Sequence, residues 1–409
     1  MALFKAYDIR GTVPDELNPE TAYAIGRATA YFIGADCLAV GRDARAHSPA
    51  LTEALIRGIN DEGVQVYDLG LVATPMLYYA VGALKTGGGV MVTASHNPAE
   101  YNGFKICREL AIPIGEDSGL REIETLCEAR VNQAVSEERG TVATHDIREG
   151  YVDHALSVGE ARGAFKVAMD CGNGMASVAL EPLLKRLELD VEPLYFEPDG
   201  TFPNHEADPL KAENLVDVSE AVKRVGADFG VAFDGDGDRA VFVDENGRSI
   251  ASDLMTGVMA RRQLAHRPGG LVLYDLRSSR AVAEEVEKAG GVAELCRVGH
   301  SFVKAQMRET GAIFAGELSG HTYFRFPNGL VADDAIAALV ALLDVLAVEQ
   351  KPLSEIVDPL RRYHASGEIN RRVADTDAVI GAIEGEHAGA PEISKLDGLL
   401  VRYDDWWFN

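Results

Sequence analysis

The sequence predicts an α/β protein built from consecutive, similar units, and three observations carry that expectation. Apolar runs of four to six residues alternate with longer segments of helical period, the pattern of parallel strands covered by helices. The same strand, loop and helix grammar recurs along the chain. Each time, the loop after the strand carries the polar residues, and in open α/β sheets ligands bind beyond the carboxyl ends of strands.

In the first unit, Leu38-Ala39-Val40 reads as a buried strand ending at Gly41-Arg42-Asp43. Ser48 is expected to cap a helix with Pro49 at its first position and Leu51, Ala54, Leu55 and Ile59 on its apolar face; Val64–Tyr67 begins the next strand. The grammar restarts at Phe165–Met169, followed by Asp170-Cys171-Gly172-Asn173-Gly174, and again at Leu271–Tyr274, followed by Asp275–Ser279. There is no strict sequence repeat. At roughly 150 residues per domain, 409 residues accommodate three such units. Junctions near 132–148, 246–252 and 359–367 divide the chain into 1–145, 146–250, 251–365 and 366–409, the last too short to be another unit of the same kind.

Charge narrows the function classes. The chain has 39 Lys+Arg against 64 Asp+Glu, a net charge of −25, which repels a nucleic-acid backbone and an anionic membrane surface alike. An anionic substrate would need basic ligands gathered locally, and Lys5, Arg10, Arg42, Arg45, Lys105, Arg239 and Arg277 do recur in strand-end loops. The most apolar stretch, Ala335–Val348, is interrupted by Asp344 and is too short to span a bilayer. Five scattered cysteines without a CxxC spacing indicate neither a disulfide framework nor structural zinc. These features lead us to expect a cytoplasmic protein with a small-molecule partner, without nucleic acid or membrane.

Three loops carry chemistry. After the buried run Phe229–Phe233 comes Asp234-Gly235-Asp236-Gly237-Asp238-Arg239, in which alternating glycines let three carboxylates converge on one hard cation. An EF-hand is rejected, because Arg239 stands where that loop needs Gly and the flanks read as strands. Carboxylates with positions left for phosphate oxygens suit Mg2+. After Gly89–Val92 comes Thr93-Ala94-Ser95-His96-Asn97-Pro98, continuing to Tyr101-Asn102-Gly103-Phe104-Lys105, where Ser95 is a nucleophile or phosphate carrier. The Gly-x-Ser-x-Gly elbow of hydrolases is absent. The third loop, Gly316-Glu317-Leu318-Ser319-Gly320-His321, groups side chains suited to sugar hydroxyls. Gly172-Asn173-Gly174 lacks the third glycine of a dinucleotide fingerprint and reads as a tight turn.

Together, in this order, these loops resemble the phosphoserine, metal and sugar-recognition loops of the α-D-phosphohexomutases. The likeness begins at Phe4–Gly11, runs to the end of the chain, and is greatest to the bacterial phosphomannomutase/phosphoglucomutase branch. The resemblance implies three similar mixed α/β domains around a central cleft, followed by an incomplete fourth. It implies that Ser95 is phosphorylated and that Asp234, Asp236 and Asp238 hold Mg2+ together with a phosphoserine oxygen. Tyr7, Arg10, His96 and Lys105 match the reaction centre; Arg239, Arg277, His300, Glu317, Ser319 and His321 match substrate contacts. Arg277 stands where members of that branch often have Lys, and a guanidinium fork grips anions differently from an ammonium.

The implied activity is interconversion of hexose 1-phosphate and hexose 6-phosphate, of mannose or glucose, by two phosphoryl transfers through a hexose 1,6-bisphosphate, which also serves as activator. A phosphoglucosamine mutase is a sibling reading, although those usually have Gln at the position of Leu318. The family's Arg-Pro-Ser-Asn-Thr-x-Pro phosphate loop has no match before the sequence stops at Asp404–Asn409. That leads to an expectation of weak turnover, of a phosphosugar-binding fragment, or of some net phosphatase leakage. It also leads to an expectation of an exposed strand edge at Leu399–Tyr403 beside two bare tryptophans.

Overall fold

The structure, a computed structural model, describes residues 3–159 and 163–409. The first sheet comprises β1 (Ile9–Thr12), β2 (Cys37–Arg42), β3 (Gln65–Leu71), β4 (Gly88–Val92), β5 (Tyr101–Arg108) and β6 (Val142–Thr144), in the order β1-β5-β4-β2-β3-β6. Strands β4, β2, β3 and β6 are mutually parallel, and β5 runs antiparallel to both neighbours. Helices α1 (Pro19–Ile33), α2 (Ser48–Asp61), α3 (Thr74–Ala83) and α4 (Leu120–Arg130) cover it. The first of these starts where expected for its chemistry: Asn18 accepts from Thr21 N at 2.9 Å, Pro19 follows, and Gly34 closes the helix at φ 64°.

The expectation for Ser48 is corrected here. His47 occupies the cap position of α2 without a side-chain cap bond, while Ser48 Oγ donates to Asp43 and accepts from Asn102 Nδ2 at 2.9 Å. The hydroxyl ties a strand-end loop together instead of starting the helix.

The second sheet contains β7 (Phe165–Asp170), β8 (Leu189–Leu194), β9 (Phe229–Phe233) and β10 (Ala240–Asp244), ordered β10-β9-β7-β8, with α5 (Arg148–Leu156), α6 (Ala176–Leu184) and α7 (Val216–Val225). The third contains β11 (Leu271–Asp275), β12 (Val292–Cys296), β13 (Phe314–Gly316), β14 (Thr322–Arg325) and β15 (Val331–Asp333), ordered β12-β11-β13-β14-β15. Helices α8 (Ser252–His266), α9 (Ala281–Lys288), α10 (His300–Thr310), α11 (Ala335–Glu349) and α12 (Leu353–Val357) belong to this part. All three sheets share one device: a parallel strand turns into an antiparallel return strand, β4 into β5, β9 into β10 and β13 into β14. Each expected chemical loop is that turn.

The apolar run from Ala335 becomes α11, buried among α5, α6 and α8 where the second and third parts meet. Its one interrupting charge, Asp344, accepts from Arg262 Nε at 2.7 Å and faces His266 Nε2 at 3.0 Å, so burial leaves it paired. Among the described residues no helix is long and apolar enough to cross a membrane.

The chain ends in α13 (Thr376–Glu386) and an antiparallel sheet of β16 (Glu392–Ser394), β17 (Leu400–Arg402) and β18 (Trp407–Phe408). The exposed edge expected at 399–403 is overturned: β17 is the middle strand, and Leu399, Leu400 and Val401 are buried. Trp407 packs on Tyr363 and beneath Arg280, so only Trp406 stands open.

Candidate active site

Ser95 sits in the turn from β4 to β5, buried, at φ 52°. A non-glycine residue in this region costs about 1–3 kcal/mol and persists only when its surroundings enforce it. Arg45 is the enforcing group. Fully buried, it donates to Ser95 O at 2.9 Å, Asn97 O at 2.6 Å, Pro98 O at 2.6 Å and Tyr101 O at 3.0 Å, while Asp43 holds its Nε at 3.1 Å. Arg45 therefore shapes the serine loop and does not reach out to an anion, which corrects its place among the expected substrate cations. Ser95 Oγ donates to Asp234 Oδ2 at 3.0 Å and lies 3.1 Å from His96 Nδ1. Burial, helped by Arg239 and Arg10, lowers the His96 pKa to about 3, so the ring is neutral near neutral pH.

The metal loop presses against this serine. A Cβ on Gly235 would lie 2.4 Å from Ser95 O, so only glycine allows the approach. Asp234 Oδ1 accepts from the backbone N–H groups of Gly237, Asp238 and Arg239 at 3.0–3.1 Å. Burial and the neighbouring Asp238 and Asp236 push the Asp234 carboxyl well above its usual range. Asp236 Oδ2 accepts from Thr74 Oγ1 at the start of α3 and from Lys105 Nζ, both at 2.6 Å. Lys105 Nζ also donates to Asp238 Oδ2 at 2.5 Å. Burial alone would depress this lysine, but Asp236 and Asp238 outweigh it and hold the ammonium firmly charged.

The remaining oxygens test the fit to a cation. Asp236 Oδ1 and Asp238 Oδ1 are buried without a hydrogen-bond partner, and one ligand atom from each of Asp234, Asp236 and Asp238 lies within 4.8 Å of the others. Buried anionic oxygens left unpaired are costly, and an all-oxygen donor set is what a hard divalent cation takes. The residues fit Mg2+.

The sugar loop meets the metal loop across the domain boundary. Arg239 and His321 form an antiparallel backbone bridge, and Arg239 Nε lies 3.4 Å from His321 Nε2. His321 Nδ1 is 3.0 Å from Ser319 Oγ. Glu317 is held at both oxygens, by Gly299 N at 2.7 Å and by Tyr323 OH. Asp275 Oδ2 accepts from Leu318 N and from Arg277 Nη2, each at 2.8 Å. His300 begins α10 with its ring 6.4 Å from that of His321, and burial drives its pKa far below the usual histidine value.

Tyr7 packs edge-on against His300 and Phe302, and burial followed by the charge of Asp397 raises its pKa. Arg10 donates to Asn97 Oδ1 and to Asp8, next to Ser95. Ser95, His96, Lys105, Arg10, the three aspartates, Arg239, Ser319 and His321 thus form one continuous cluster, with Tyr7, His300 and Glu317 at its edge. Arg277 is joined to the sugar loop through Asp275, and its other arm meets Glu368 at 3.1 Å, facing the carboxyl-terminal segment.

Sequence reasoning missed Thr74, Asn97 as partner of Arg10, Asp275, Tyr323, and the buried pair Lys304–Asp333 at 2.9 Å. A Thr-Pro helix start and a carboxylate ending β11 were visible signals for two of these. Tyr323 and Lys304 sit inside apolar patterns that give no sign of a polar task.

Comparison with known proteins accords with this geometry. The descriptions "Phosphoglucomutase/phosphomannomutase, alpha/beta/alpha domain" I, II and III match residues 1–134, 149–247 and 251–363 in turn. The chain belongs to this family. It is 39% identical over 412 residues to a phosphomannomutase/phosphoglucomutase of Pseudomonas aeruginosa, covering 99% of this chain and 88% of that protein. It is 38% identical over 410 residues to a protein of Xanthomonas campestris named for phosphohexose mutases, covering 99% and 91%. A crystal structure of a phosphoglucomutase/phosphomannomutase family protein from Burkholderia thailandensis superposes with a TM-score of 0.91 at 34% identity, covering 99% of this chain and 89% of that one.

Proposed function

We propose that this member of the family is a Mg2+-dependent phosphohexomutase that interconverts mannose or glucose 1-phosphate and 6-phosphate through phospho-Ser95 and a hexose 1,6-bisphosphate. The observation that carries the reading is the placement of Ser95 Oγ 3.0 Å from Asp234, beside the unpartnered oxygens of Asp236 and Asp238. A phosphoryl group on that serine would lie where Asp234, Asp236 and Asp238 would hold Mg2+. Bound there, the ion supplies positive charge against the phosphoryl oxygens.

The side chains divide the remaining work. Arg45 and Gly235 fix the serine loop, so the reacting oxygen is oriented before substrate arrives. Lys105, tied between two carboxylates, acts as a charge and is not a base. Arg10 lies beside Ser95 with a second cationic charge. His96, with a pKa near 3, is a poor proton acceptor. His321 is the group left to exchange the sugar hydroxyl proton, held by Ser319 next to the sugar-binding Glu317.

In the first transfer the serine Oγ–P bond breaks as the sugar hydroxyl oxygen bonds to phosphorus, and that hydroxyl's proton passes to His321. After the bisphosphate turns over, the other phosphoryl group returns to Ser95 by the reverse chemistry. Phosphorus NMR with Mg2+, mannose 1-phosphate and a trace of hexose 1,6-bisphosphate tests this. Mannose 6-phosphate should appear and be abolished in Ser95→Ala; parallel runs with glucose and glucosamine 1-phosphates rank the sugars. Undiminished turnover by Ser95→Ala refutes the phosphoserine role.

A further inference from the structure

Asp333 ends β15 behind the sugar loop, and its two oxygens meet different fates. Oδ1 accepts from the fully buried ammonium of Lys304 at 2.9 Å; Oδ2 is buried with no hydrogen-bond partner. Asp238, across the domain boundary, repeats the pattern: Lys105 holds Oδ2, and Oδ1 has none. Each residue is only 1% exposed, so bulk solvent does not reach the free oxygens.

Both free oxygens face one nitrogen. His321 Nε2 stands 3.4 Å from Asp238 Oδ1 and 3.8 Å from Asp333 Oδ2, and the three ligand atoms all lie within 4.8 Å of one another; Arg239 Nε, 3.4 Å from the same nitrogen, must turn away when an ion binds. These separations are long for hydrogen bonds. They are close to the spacing of ligands around one small ion, because two donors each about 2.0–2.1 Å from a tetrahedral zinc stand about 3.3 Å apart. The lysines occupy the outer oxygens and leave the inner ones free. One imidazole nitrogen with two carboxylates is a donor set for zinc-like ions, whereas the all-oxygen trio of aspartates suits a harder ion.

We propose that Asp238, His321 and Asp333 form a second divalent-cation site, selective for Zn2+ and similar ions, and that its occupation inhibits turnover by taking His321 out of proton exchange. The inhibition rests on the phosphohexomutase reading above; the binding does not. Because Asp238 belongs to both sites, the two ions are coupled, and Zn2+ is expected to weaken the hold on Mg2+.

Co2+, a coloured stand-in for Zn2+, titrated into the full chain with Mg2+ present gives a readout independent of activity. The expected result is a saturable visible spectrum of mixed nitrogen and oxygen ligation. It should be retained in Asp236→Asn, which removes a ligand of the aspartate trio but none of this site, and lost in Asp333→Asn and His321→Gln. The second of these carries the test if the first fails to fold. In hexose-phosphate turnover, Zn2+ should inhibit the wild type, and Asp333→Asn should be about tenfold less sensitive, the usual scale for losing one support of a metal site. A spectrum that survives both site variants, one lost in Asp236→Asn alone, or none at all overturns the site. A spectrum as expected with turnover indifferent to Zn2+ keeps the site and overturns the inhibition.

Discussion

The metal loop and the sugar loop occupy the same place in their domains, each a turn from a parallel strand into its antiparallel return, yet they are restrained differently. Asp236 is held by Thr74 and Lys105, both from the first part of the chain, and Gly235 packs on Ser95 of that same part. The sugar loop is braced by its own domain: Glu317 by Gly299 and Tyr323, and Leu318 by Asp275. On the proposed reading, the groups around the transferring phosphoryl are thus locked across domains, where any shift would misplace the reacting atoms. The side chains of the sugar loop are braced mainly from within the third domain, and the loop meets the metal loop through the Arg239–His321 bridge. Damage to the first set should lower kcat, and damage to the second should mainly raise KM.

The largest effect is expected at Arg45. Arg45→Lys keeps the charge but cannot reach four carbonyls from a single ammonium; the buried Ser95 carbonyl left unpaired costs about 1–3 kcal/mol, and the half-buried ones less. The thermal midpoint should fall, and kcat should drop about a hundredfold through misplacement of Ser95. A variant with wild-type kcat would mean the loop holds itself, and the contrast with the sugar loop would collapse.

A matched glycine pair sharpens the contrast. In Gly235→Ala the new methyl meets Ser95 O at 2.4 Å, so metal loop and serine must separate, and kcat should fall by about tenfold or more. In Gly320→Ala the nearest atom, Ala240 O, is 3.4 Å away, but φ is +87°, and the strain of about 1–2 kcal/mol falls on the sugar loop. Its KM should rise with kcat nearly unchanged. Steady-state kinetics of both variants decide the matter; equal effects on kcat erase the distinction.

This division also explains what the sequence could reveal. The turns of β4, β9 and β13 were legible because serine, alternating aspartates and glycines stand out after apolar runs. Arg45 was visible as a charge but not as a clamp, because its acceptors are backbone carbonyls that carry no sequence signature. Ser48 looked like a helix cap because its spacing before Pro49 is right, while the deciding partners are Asp43, just past β2, and Asn102, in β5. Lys304 and Asp333 were invisible for a related reason: a buried ion pair inside an apolar pattern is made by the tertiary fold. The strand at 400–402 looked like an edge because its neighbour β18 is two residues long.

Two titrating groups near the second and third domains' seam should move stability with little effect on the loops. Asp334 caps α11 and accepts from Tyr151 OH of α5 at 2.9 Å; burial raises its pKa to about 7. The folded chain thus keeps a proton that the unfolded chain releases near its ordinary carboxylate pKa of about 3.9, so this contribution is full below that pH and is lost as pH rises through about 7. His154, stacked on Phe326 at 3.7 Å, runs the other way, since burial lowers its pKa to about 4. Its contribution is present above the unfolded value of about 6.5 and is lost as pH falls through 4. At most, Asp334 is worth about 4 kcal/mol and His154 about 3 kcal/mol. Asp334→Asn, which retains a capping side chain, should gain most over wild type at about pH 8, and His154→Leu at about pH 4. Melting curves in which both variants keep the wild-type pH profile refute this assignment.

The smallest effect is expected inside the sugar loop's own bracing. Tyr323→Phe removes one donor to Glu317 Oε2 and leaves Gly299 N on Oε1, at a cost of about 1 kcal/mol. The freed oxygen still has His321 Nδ1 3.6 Å away, which limits the loss. KM should therefore rise by only a few-fold, with kcat close to wild type. A large fall in kcat instead would mean that Glu317 is as tightly coupled to the reacting atoms as Asp236, and that the two loops are locked alike after all.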